Sequence, residues 1–272
     1  MNVATKLNSQ FRETIWNYYH NHGRHDLPWR IANARGAFDP YAILVSEFML
    51  QQTQVARVIP KYRCFLAQFP TYDALAKAPL GDVLRAWQGL GYNRRAKYLW
   101  QTARELHKTK QFPRTQAELT QFPGVGPNTA GAILAYAFNV PSIFIETNIR
   151  TVYLHHFFRN EKNVSDTHIR EAVAATLDHE HPREFYWAVM DYGTFLKTQI
   201  KNNTQSKHYT KQSKFEGSRR EIRGKILRRL SVGRATYVQL ADSITDQRLS
   251  GVLEDLIAED MIVKKHSYYQ LQ

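Results

Sequence analysis

The chain has 272 residues, 43% of them hydrophobic and 12% aromatic, a composition that excludes an intrinsically disordered protein. Its formal net charge of +13 indicates an anionic partner, most often nucleic acid, although basic charge also serves solubility. The single cysteine excludes disulfides within the chain and sites built from several thiolates. No window approaches the roughly 18 apolar residues of a membrane span, and the N-terminus lacks a signal-peptide core. We therefore expect a cytoplasmic, nucleoid-associated protein of bacterial type with no membrane partner.

From Phe11 to about Lys197 the pattern is that of short helices separated by loops. Apolar residues recur at helical spacing in 43–50, 75–87 and 96–106. Prolines and glycines interrupt this pattern repeatedly, and alternating strand patterns are scarce. The sequence predicts an all-α domain over this stretch.

Residues 122–131 read Phe-Pro-Gly-Val-Gly-Pro-Asn-Thr-Ala-Gly and predict a tight turn that opens a helix. The N-terminus of a helix carries unpaired N–H groups and partial positive charge, so it can seat a phosphate. Taken alone, these residues fit an ordinary glycine-bearing connection between two helices equally well. The basic charge of the chain and the flanking residues favour DNA.

Basic residues accumulate between Lys201 and Arg234. The polar stretch 201–217 predicts a linker or a basic strap along a phosphate backbone, with Lys211 among the expected DNA contacts. A solvated connection is the alternative for this stretch.

Residues 218–272 predict a small winged-helix-like module. We expect helices over 222–230, over 237–243 after Thr236, and over 249–260, followed by a two-stranded wing. The wing strands are expected at 261–263 and 268–271, with a basic turn at Lys264–Lys265. The third helix is expected to turn four acidic residues to solvent, which favours a backbone-binding or dimerising role over base readout: Glu254, Asp255, Glu259 and Asp260.

Five motifs in order resemble the signature of MutY-type adenine DNA glycosylases, a branch of the helix–hairpin–helix (HhH-GPD) glycosylases. They are Leu27-Pro28-Trp29-Arg30, Ser46-Glu47-Phe48-Met49-Leu50-Gln51-Gln52-Thr53-Gln54-Val55, Gly89-Leu90-Gly91-Tyr92, Pro123-Gly124-Val125-Gly126 and Met190-Asp191-Tyr192-Gly193. The resemblance covers about residues 8–197. It implies a mainly α, two-lobed helix–hairpin–helix glycosylase fold over 1–200, followed by the linker 201–217 and the winged-helix-like module 218–272. The six-helix lobe would span about 32–150, and the second lobe the N-terminus plus 151–200.

Two carboxylates are candidates for the chemistry. Glu47 lies in an otherwise apolar helix, where partial burial would raise its pKa and keep it protonated as an acid. By resemblance Glu47 is the residue that protonates adenine at N7. Glu146 follows a hydrophobic run where the family has aspartate, and by resemblance it would stabilise the sugar cation. The alternatives are a carboxylate on an exposed helix face for Glu47 and a simple helix-start carboxylate for Glu146.

Further residues follow from the resemblance. Asn128 stands where relatives that also cut the backbone carry a Schiff-base lysine, which implies a monofunctional enzyme. Asn148 completes the catalytic set. The expected DNA-binding residues fill the gap left by the extruded base, form the hairpin or contact phosphates, with a plain core aromatic as the alternative for Tyr92: Gln51, Gln52, Tyr92, Pro123, Gly124, Val125, Gly126, Thr129, Arg94 and Lys211.

The sequence also departs from the family. Typical members place four cysteines after the Met-Asp-x-Gly motif, so we expect no iron–sulfur cluster here, and a basic strap over 197–214 in its place. The sequence leaves open whether a structural monovalent or divalent cation binds at the hairpin. Residues 218–272 are too few for the domain that inspects 8-oxoguanine.

These observations predict a monomeric DNA glycosylase of base excision repair that acts on double-stranded DNA with a mispaired or damaged base. The expected substrate is adenine opposite 8-oxoguanine or guanine. The alternatives are a mismatch thymine or uracil glycosylase, another damaged-base glycosylase, and a non-catalytic protein that binds DNA structures.

Overall fold

The computed structural model describes residues 3–210 and 214–272, which are mainly helical as predicted. The chain divides into two compact units. Among the described residues, the first unit comprises 3–43, 113–121 and 125–210, and the second comprises 44–112, 122–124 and 214–272. None of the described helices is long and apolar enough to cross a membrane.

The first unit is entirely helical apart from short loops and one isolated bridge. Its helices are α1 (Val3–His22), α7 (Gln116–Leu119), α8 (Pro127–Phe138), α9 (Thr147–Phe157), α10 (Asp166–Thr176) and α11 (Pro182–Gln199). Helix α2 (Pro40–Leu50) begins in this unit and continues into the second. Helix α8 is buried along most of its length because residues 130–138 are all alanine, glycine, aliphatic or aromatic.

Two of the sequence motifs meet in the core of the first unit. Arg30 donates from Nη1 to Asp191 Oδ2 at 2.8 Å and from Nη2 to Oδ1 at 2.9 Å, and both side chains are almost fully buried. Arg24 adds hydrogen bonds to the same carboxylate from its backbone N and its guanidinium. Burial alone would raise the pKa of Asp191, but the hydrogen bonds and charges of Arg30 and Arg24 hold that pKa below its usual value.

We expect Asp191→Asn to lower the free energy of unfolding by about 3–5 kcal/mol, because the change leaves buried Arg30 without its countercharge. The midpoint of urea unfolding at neutral pH measures this loss. Asp82→Asn is the control: its ion pair with Arg85 is exposed, so the cost should stay within about 1 kcal/mol. Since the folded-state pKa of Asp191 is depressed, its contribution is present above about pH 4 and is lost as the pH falls further. Equal midpoints for the two variants would contradict this assignment.

The second unit combines the helices that follow α2 with the C-terminal module. These are α3 (Val55–Gln68), α4 (Tyr72–Lys77), α5 (Leu80–Ala86) and α6 (Arg94–Thr109), then α12 (Arg219–Val232), α13 (Tyr237–Ser243) and α14 (Leu249–Ala258). This grouping differs from the predicted lobes, since 125–150 cluster with the N-terminal helices and the C-terminal module with 44–112. Distant hydrogen bonds account for the second grouping: the Gly81 N–H donates to Gln272 O at 2.7 Å, and Arg85 Nε donates to Ser231 O at 3.2 Å.

The predicted helices of the C-terminal module are confirmed. Helix α12 covers 222–230, and α13 begins after Thr236, whose side chain forms a capping box with Gln239. The small sheet has three antiparallel strands in the order β1-β3-β2, formed by β1 (Ala235–Thr236), β2 (Ile262–Lys265) and β3 (Tyr268–Leu271). The two-residue strand β1 was not predicted, because so short a segment carries no alternation.

Two expectations for this module are wrong. Lys264 and Lys265 do not form the turn, since they pair with Tyr269 and Tyr268 within the sheet. The turn lies at residues 266–267, where His266 adopts a φ of +54°.

The acidic residues at the end of α14 are also not all turned to solvent. Glu259 pairs with Arg94 and Arg223, and Asp255 pairs with Arg219, while Glu254 and Asp260 are exposed as predicted, although Asp260 also pairs with Lys97. These ion pairs hold α14 against α12 and α6, which explains why this helix carries carboxylates.

Candidate functional site

Glu47 lies in the C-terminal half of α2 and is half-buried, as the apolar sequence around it predicts. Its neighbours Phe48 and Met49 are fully buried, so the helix face beside the carboxylate belongs to the core of the second unit. An exposed helix face, the alternative for Glu47, is therefore wrong.

Glu146 is the N-cap residue of α9 in the first unit. Its Oε1 accepts hydrogen bonds from the backbone N of Asn148 at 2.5 Å and of Ile149 at 2.9 Å. Both capping bonds end on the same oxygen, so the cap does not use Oε2. Glu146 is thus a helix-start carboxylate, and this capping role is compatible with a chemical one for the second oxygen.

Burial raises the pKa of Glu146 above its ordinary value. Hydrogen bonds from Ile149 and Asn148 and the positive charges of Lys197 and Arg150 act in the opposite direction. The pKa of Lys197 is lowered by burial and raised by Glu146. A carboxyl group in this setting ionises at higher pH than an exposed glutamate, and Lys197 favours its ionised form.

Asn128, in the first turn of α8, fixes the segment that leads to Glu146. Its Oδ1 accepts a hydrogen bond from Ile145 N at 3.2 Å and another from Arg170 Nη2 at 3.2 Å. Arg170 Nη1 also donates to Ile143 O at 3.2 Å. The Asn128 side chain therefore holds the backbone one residue before the carboxylate.

Asn148 lies where α9 and α11 approach closely. A Cβ on Gly193 would meet Asn148 O at 2.5 Å, so only glycine permits this contact. The Asn148 side chain lies against the Met190 sulfur at 3.9 Å. Gly193 of the Met-Asp-x-Gly motif thus supports the helix start that carries Glu146.

The hairpin turn joins α7 to α8 with the conformations that its glycines predict. Gly124 has a φ of +77°, and a Cβ there would lie 2.7 Å from the Tyr98 ring. Val125 is buried, whereas an added Cβ on Gly126, the N-cap of α8, would meet open space. Pro123 and Thr129, on either side, are half-buried. The backbone at Gly126 is therefore exposed at the N-terminus of α8, where unpaired N–H groups can bind a phosphate.

Two loops of the second unit hold non-glycine residues in the left-handed region. Gln52, in the turn after α2, has a φ of +53°, and Tyr92, before α6, has a φ of +46°. A bulky residue such as tyrosine rarely adopts this conformation, and such strain concentrates at functional sites. Tyr92 is 37% exposed, so it is not the core aromatic that was its alternative.

Arg95 in α6 ties these two loops together, and sequence reasoning did not select it. Its guanidinium is buried, and burial lowers its pKa to about 10. No carboxylate faces it within the described residues; its Nη1 and Nη2 donate to oxygen atoms of six residues at 2.6–3.1 Å: Phe48, Met49, Gln51, Thr53, Leu90 and Gly91.

A sequence signal for Arg95 exists. Residues 95, 99, 102 and 106 have the i, i+4, i+7, i+11 spacing of one helix face, and all four are buried. A cation on an otherwise largely apolar face indicates a buried charge with fixed partners.

The sequence also predicted DNA contacts by Arg94, Gln51, Gln52 and Lys211. Arg94 forms an ion pair with Glu259, which raises its pKa, although its side chain stays 60% exposed. Gln51 is half-buried and Gln52 exposed. Lys211 lies outside the described residues. No group of three or more potential ligands that could hold a metal ion occurs in the described ranges.

Comparison with known proteins agrees with this geometry. Residues 45–177, which include both carboxylates, the hairpin and Arg95, match the HhH-GPD superfamily of base excision DNA repair proteins. Over these residues the chain is similar to the proteins of that superfamily.

Curated relatives are adenine DNA glycosylases. The protein of that name from Buchnera aphidicola subsp. Baizongia pistaciae is 38% identical over 192 residues, covering 68% of this chain and 52% of the relative. The one from Mycolicibacterium smegmatis is 41% identical over 136 residues, covering 49% and 45%. This chain thus spans about half the length of these relatives.

Solved structures show the fold. A thermostable thymine-DNA glycosylase superposes with a TM-score of 0.61 at 24% identity, covering 71% of this chain and 88% of that one. An endonuclease III–DNA covalent intermediate superposes with a TM-score of 0.58 at 17% identity, covering 72% and 88%.

Proposed function

We propose that this protein is a monofunctional DNA glycosylase that releases adenine mispaired with 8-oxoguanine or guanine in double-stranded DNA. The observation that carries the proposal is the similarity to adenine DNA glycosylases across a region that holds two half-buried carboxylates, Glu47 and the helix-capping Glu146. Neither carboxylate is needed by a protein that only binds DNA, because negative charge repels the phosphate backbone.

In the proposed reaction the adenine nucleotide is extruded from the stack. Glu47 donates its proton to N7 while the bond between N9 and C1′ of the sugar breaks. The ionised Glu146 stabilises the resulting oxocarbenium ion, and water adds to C1′ and loses a proton. The products are free adenine and an abasic site in an unbroken strand.

Asn128 supports the monofunctional reaction. An amide is not a nucleophile towards the sugar carbon, and this one accepts hydrogen bonds from Ile145 and Arg170. Borohydride in the reaction should therefore trap no covalent protein–DNA complex.

We also propose that the fold lacks an iron–sulfur cluster. Four thiolates are needed for such a cluster, and the one cysteine, Cys64, is exposed on α3. In place of a cluster, polar side chains in the stretch after α11 form hydrogen bonds with other segments of the first unit. Asn202 Nδ2 donates to Thr151 O at 2.9 Å, and Gln205 Nε2 donates to Arg159 O at 2.9 Å. These contacts fasten the strap to α9 and to the loop that follows it.

The deciding experiment uses duplexes in which adenine, thymine or uracil stands opposite guanine, and adenine also opposite 8-oxoguanine. Strand cleavage is scored with and without alkali. Cleavage only after alkali, and only of strands that carry adenine, is the expected result. Preference for thymine or uracil would assign the mismatch alternative, and an inert protein that still binds these duplexes would assign the non-catalytic one.

The pH dependence of turnover offers a separate check. Glu146 acts in its ionised form, so turnover should decline as the pH falls through its raised pKa. Lys197→Gln removes a charge that lowers this pKa, so the acid limb should move to higher pH. Lys201→Gln, an exposed lysine beyond the end of α11, should leave the limb in place. An unmoved limb in Lys197→Gln would separate Glu146 from the ionisation that controls turnover.

A further inference from the structure

The C-terminal module encloses a cavity against the two strained loops. The cavity has a volume of about 770 Å³ and lies entirely within the second unit. One side is formed by the loops that carry Gln52 and Tyr92, and the other by α12. We call it the arginine pocket, because Arg95 and six further arginines line it: Arg57, Arg94, Arg219, Arg220, Arg223 and Arg228.

The charge of the arginine pocket is far from balanced. Among its described lining residues, one carboxylate, Asp255, stands against seven guanidinium groups. Asp255 pairs with Arg219, and Glu259 pairs with Arg94 and Arg223. Arg57 and Arg228 are exposed and form no ion pair within the described part of the chain. Like charges at this density repel one another, so the pocket is suited to an anion.

Aromatic and amide groups stand among these charges. Tyr92 is 37% exposed and Phe215 is 58% exposed, and both line the pocket. The Tyr92 ring centre lies 5.6 Å from the Arg95 guanidinium and 5.7 Å from that of Arg220. Arg220 also donates a hydrogen bond to the Tyr92 hydroxyl at 2.6 Å. Arginines with exposed aromatic rings are the combination that binds unpaired nucleotides, phosphate to guanidinium and base to ring.

We propose that the arginine pocket binds one unpaired nucleotide of a DNA strand. Guanidinium groups of Arg57 and α12 hold its phosphates, and Tyr92 and Phe215 stack on its base. A volume of about 770 Å³ is within the range of pockets that enclose small ligands. The inference deepens the proposed function, since the DNA on which the glycosylase acts supplies the nucleotide, and it gives the C-terminal module a direct part in binding DNA.

The test measures the affinity of the full chain for a fluorescein-labelled duplex with one unpaired nucleotide and for its fully paired counterpart, across a range of salt concentrations. We expect Arg57→Ala and Arg228→Ala each to weaken binding of the first duplex and to reduce the slope of log affinity against log salt by about 0.7–0.9. Phe215→Ala should weaken binding of that duplex at least about fivefold while leaving the salt slope unchanged. The paired duplex should be affected less by all three changes.

Arg63→Ala is the matched control, because Arg63 is an exposed arginine on the same helix as Arg57 and does not line the pocket. Arg63→Ala should leave unchanged both the preference for the unpaired-nucleotide duplex over the paired one and the slope of log affinity against log salt. Equal effects of Arg57→Ala and Arg63→Ala would overturn the proposal. So would an unchanged preference for the unpaired-nucleotide duplex in both Arg57→Ala and Arg228→Ala. Displacement of the unpaired-nucleotide duplex by micromolar free deoxynucleotide would instead assign the pocket to a free nucleotide.

Base release by the unaltered chain, measured with the duplexes that test the proposed function, distinguishes failure of the arginine-pocket proposal from failure of the proposed function. A protein that releases adenine while the arginine variants bind normally has the proposed function without this pocket. A protein that releases no base, yet loses its preference for the unpaired nucleotide in these variants, has the pocket without the proposed function.

Discussion

Glu146→Gln should lower the rate of adenine release by roughly 10²–10³ while leaving the fold intact. The charge that stabilises the sugar cation is lost, and removing one such electrostatic group typically has an effect of this size. The glutamine side chain retains a carbonyl oxygen that can accept the hydrogen bonds of Asn148 and Ile149. We therefore expect the free energy of unfolding to change by less than about 1 kcal/mol. Single-turnover base release and urea unfolding measure the two quantities.

Two further variants separate the cap from the charge. Glu146→Ala removes both, so it should also lower the free energy of unfolding by about 1 kcal/mol. Glu118→Gln alters another carboxylate at a helix start, in the exposed capping box with Thr115, and should leave base release unchanged. If Glu146→Gln released adenine at the normal rate, Glu146 would be a capping residue only.

Glu47→Gln should lower the rate of adenine release by roughly 10²–10⁴, the usual contribution of a general acid. Glutamine has nearly the same shape as glutamate, so the half-buried position in α2 is preserved and DNA affinity should be maintained. Single-turnover release of adenine, together with duplex binding by the same variant, measures the effect. Glu105→Gln, at an exposed position of α6, is the control.

A substrate change tests the atom that Glu47 protonates. A duplex with 7-deazaadenine has carbon at position 7 and cannot accept the proton there, so the unaltered protein should cleave it as slowly as Glu47→Gln cleaves adenine. Combining the variant with this substrate should add little further loss, because both changes remove the same interaction. Full additivity would show that Glu47 acts on another atom.

Local sequence patterns predicted the helices better than the contacts between them. Helix α13 was predictable from Thr236 and Gln239, whose capping box involves residues three apart, and α12 from its apolar spacing. The strand β1 was missed because it pairs with the distant β3, and the turn at His266 because backbone conformation and register, rather than composition, fix a hairpin turn.

In the candidate site, too, local patterns were more informative than contacts between distant residues. The ordered motifs singled out Glu47 and the hairpin, and a carboxylate directly after a hydrophobic run singled out Glu146; their part in catalysis stays a prediction. The partners of Arg94 and Arg95 come from residues up to 165 positions away, and no periodicity reveals such pairs. The acidic end of α14 looked like a solvent face for this reason, although it binds α6 and α12.

Arg95 fixes both strained loops by hydrogen bonds made within the second unit, so the chain's own contacts set the backbone positions around Gln52 and Tyr92. Ordering a flexible loop at the moment of binding costs conformational entropy, and a preorganised loop avoids that cost. Under the proposed function, a protein that scans undamaged DNA would test each base-pair step with loops whose conformation is already fixed. Its search speed would then depend on sliding and base opening, not on folding of the loops.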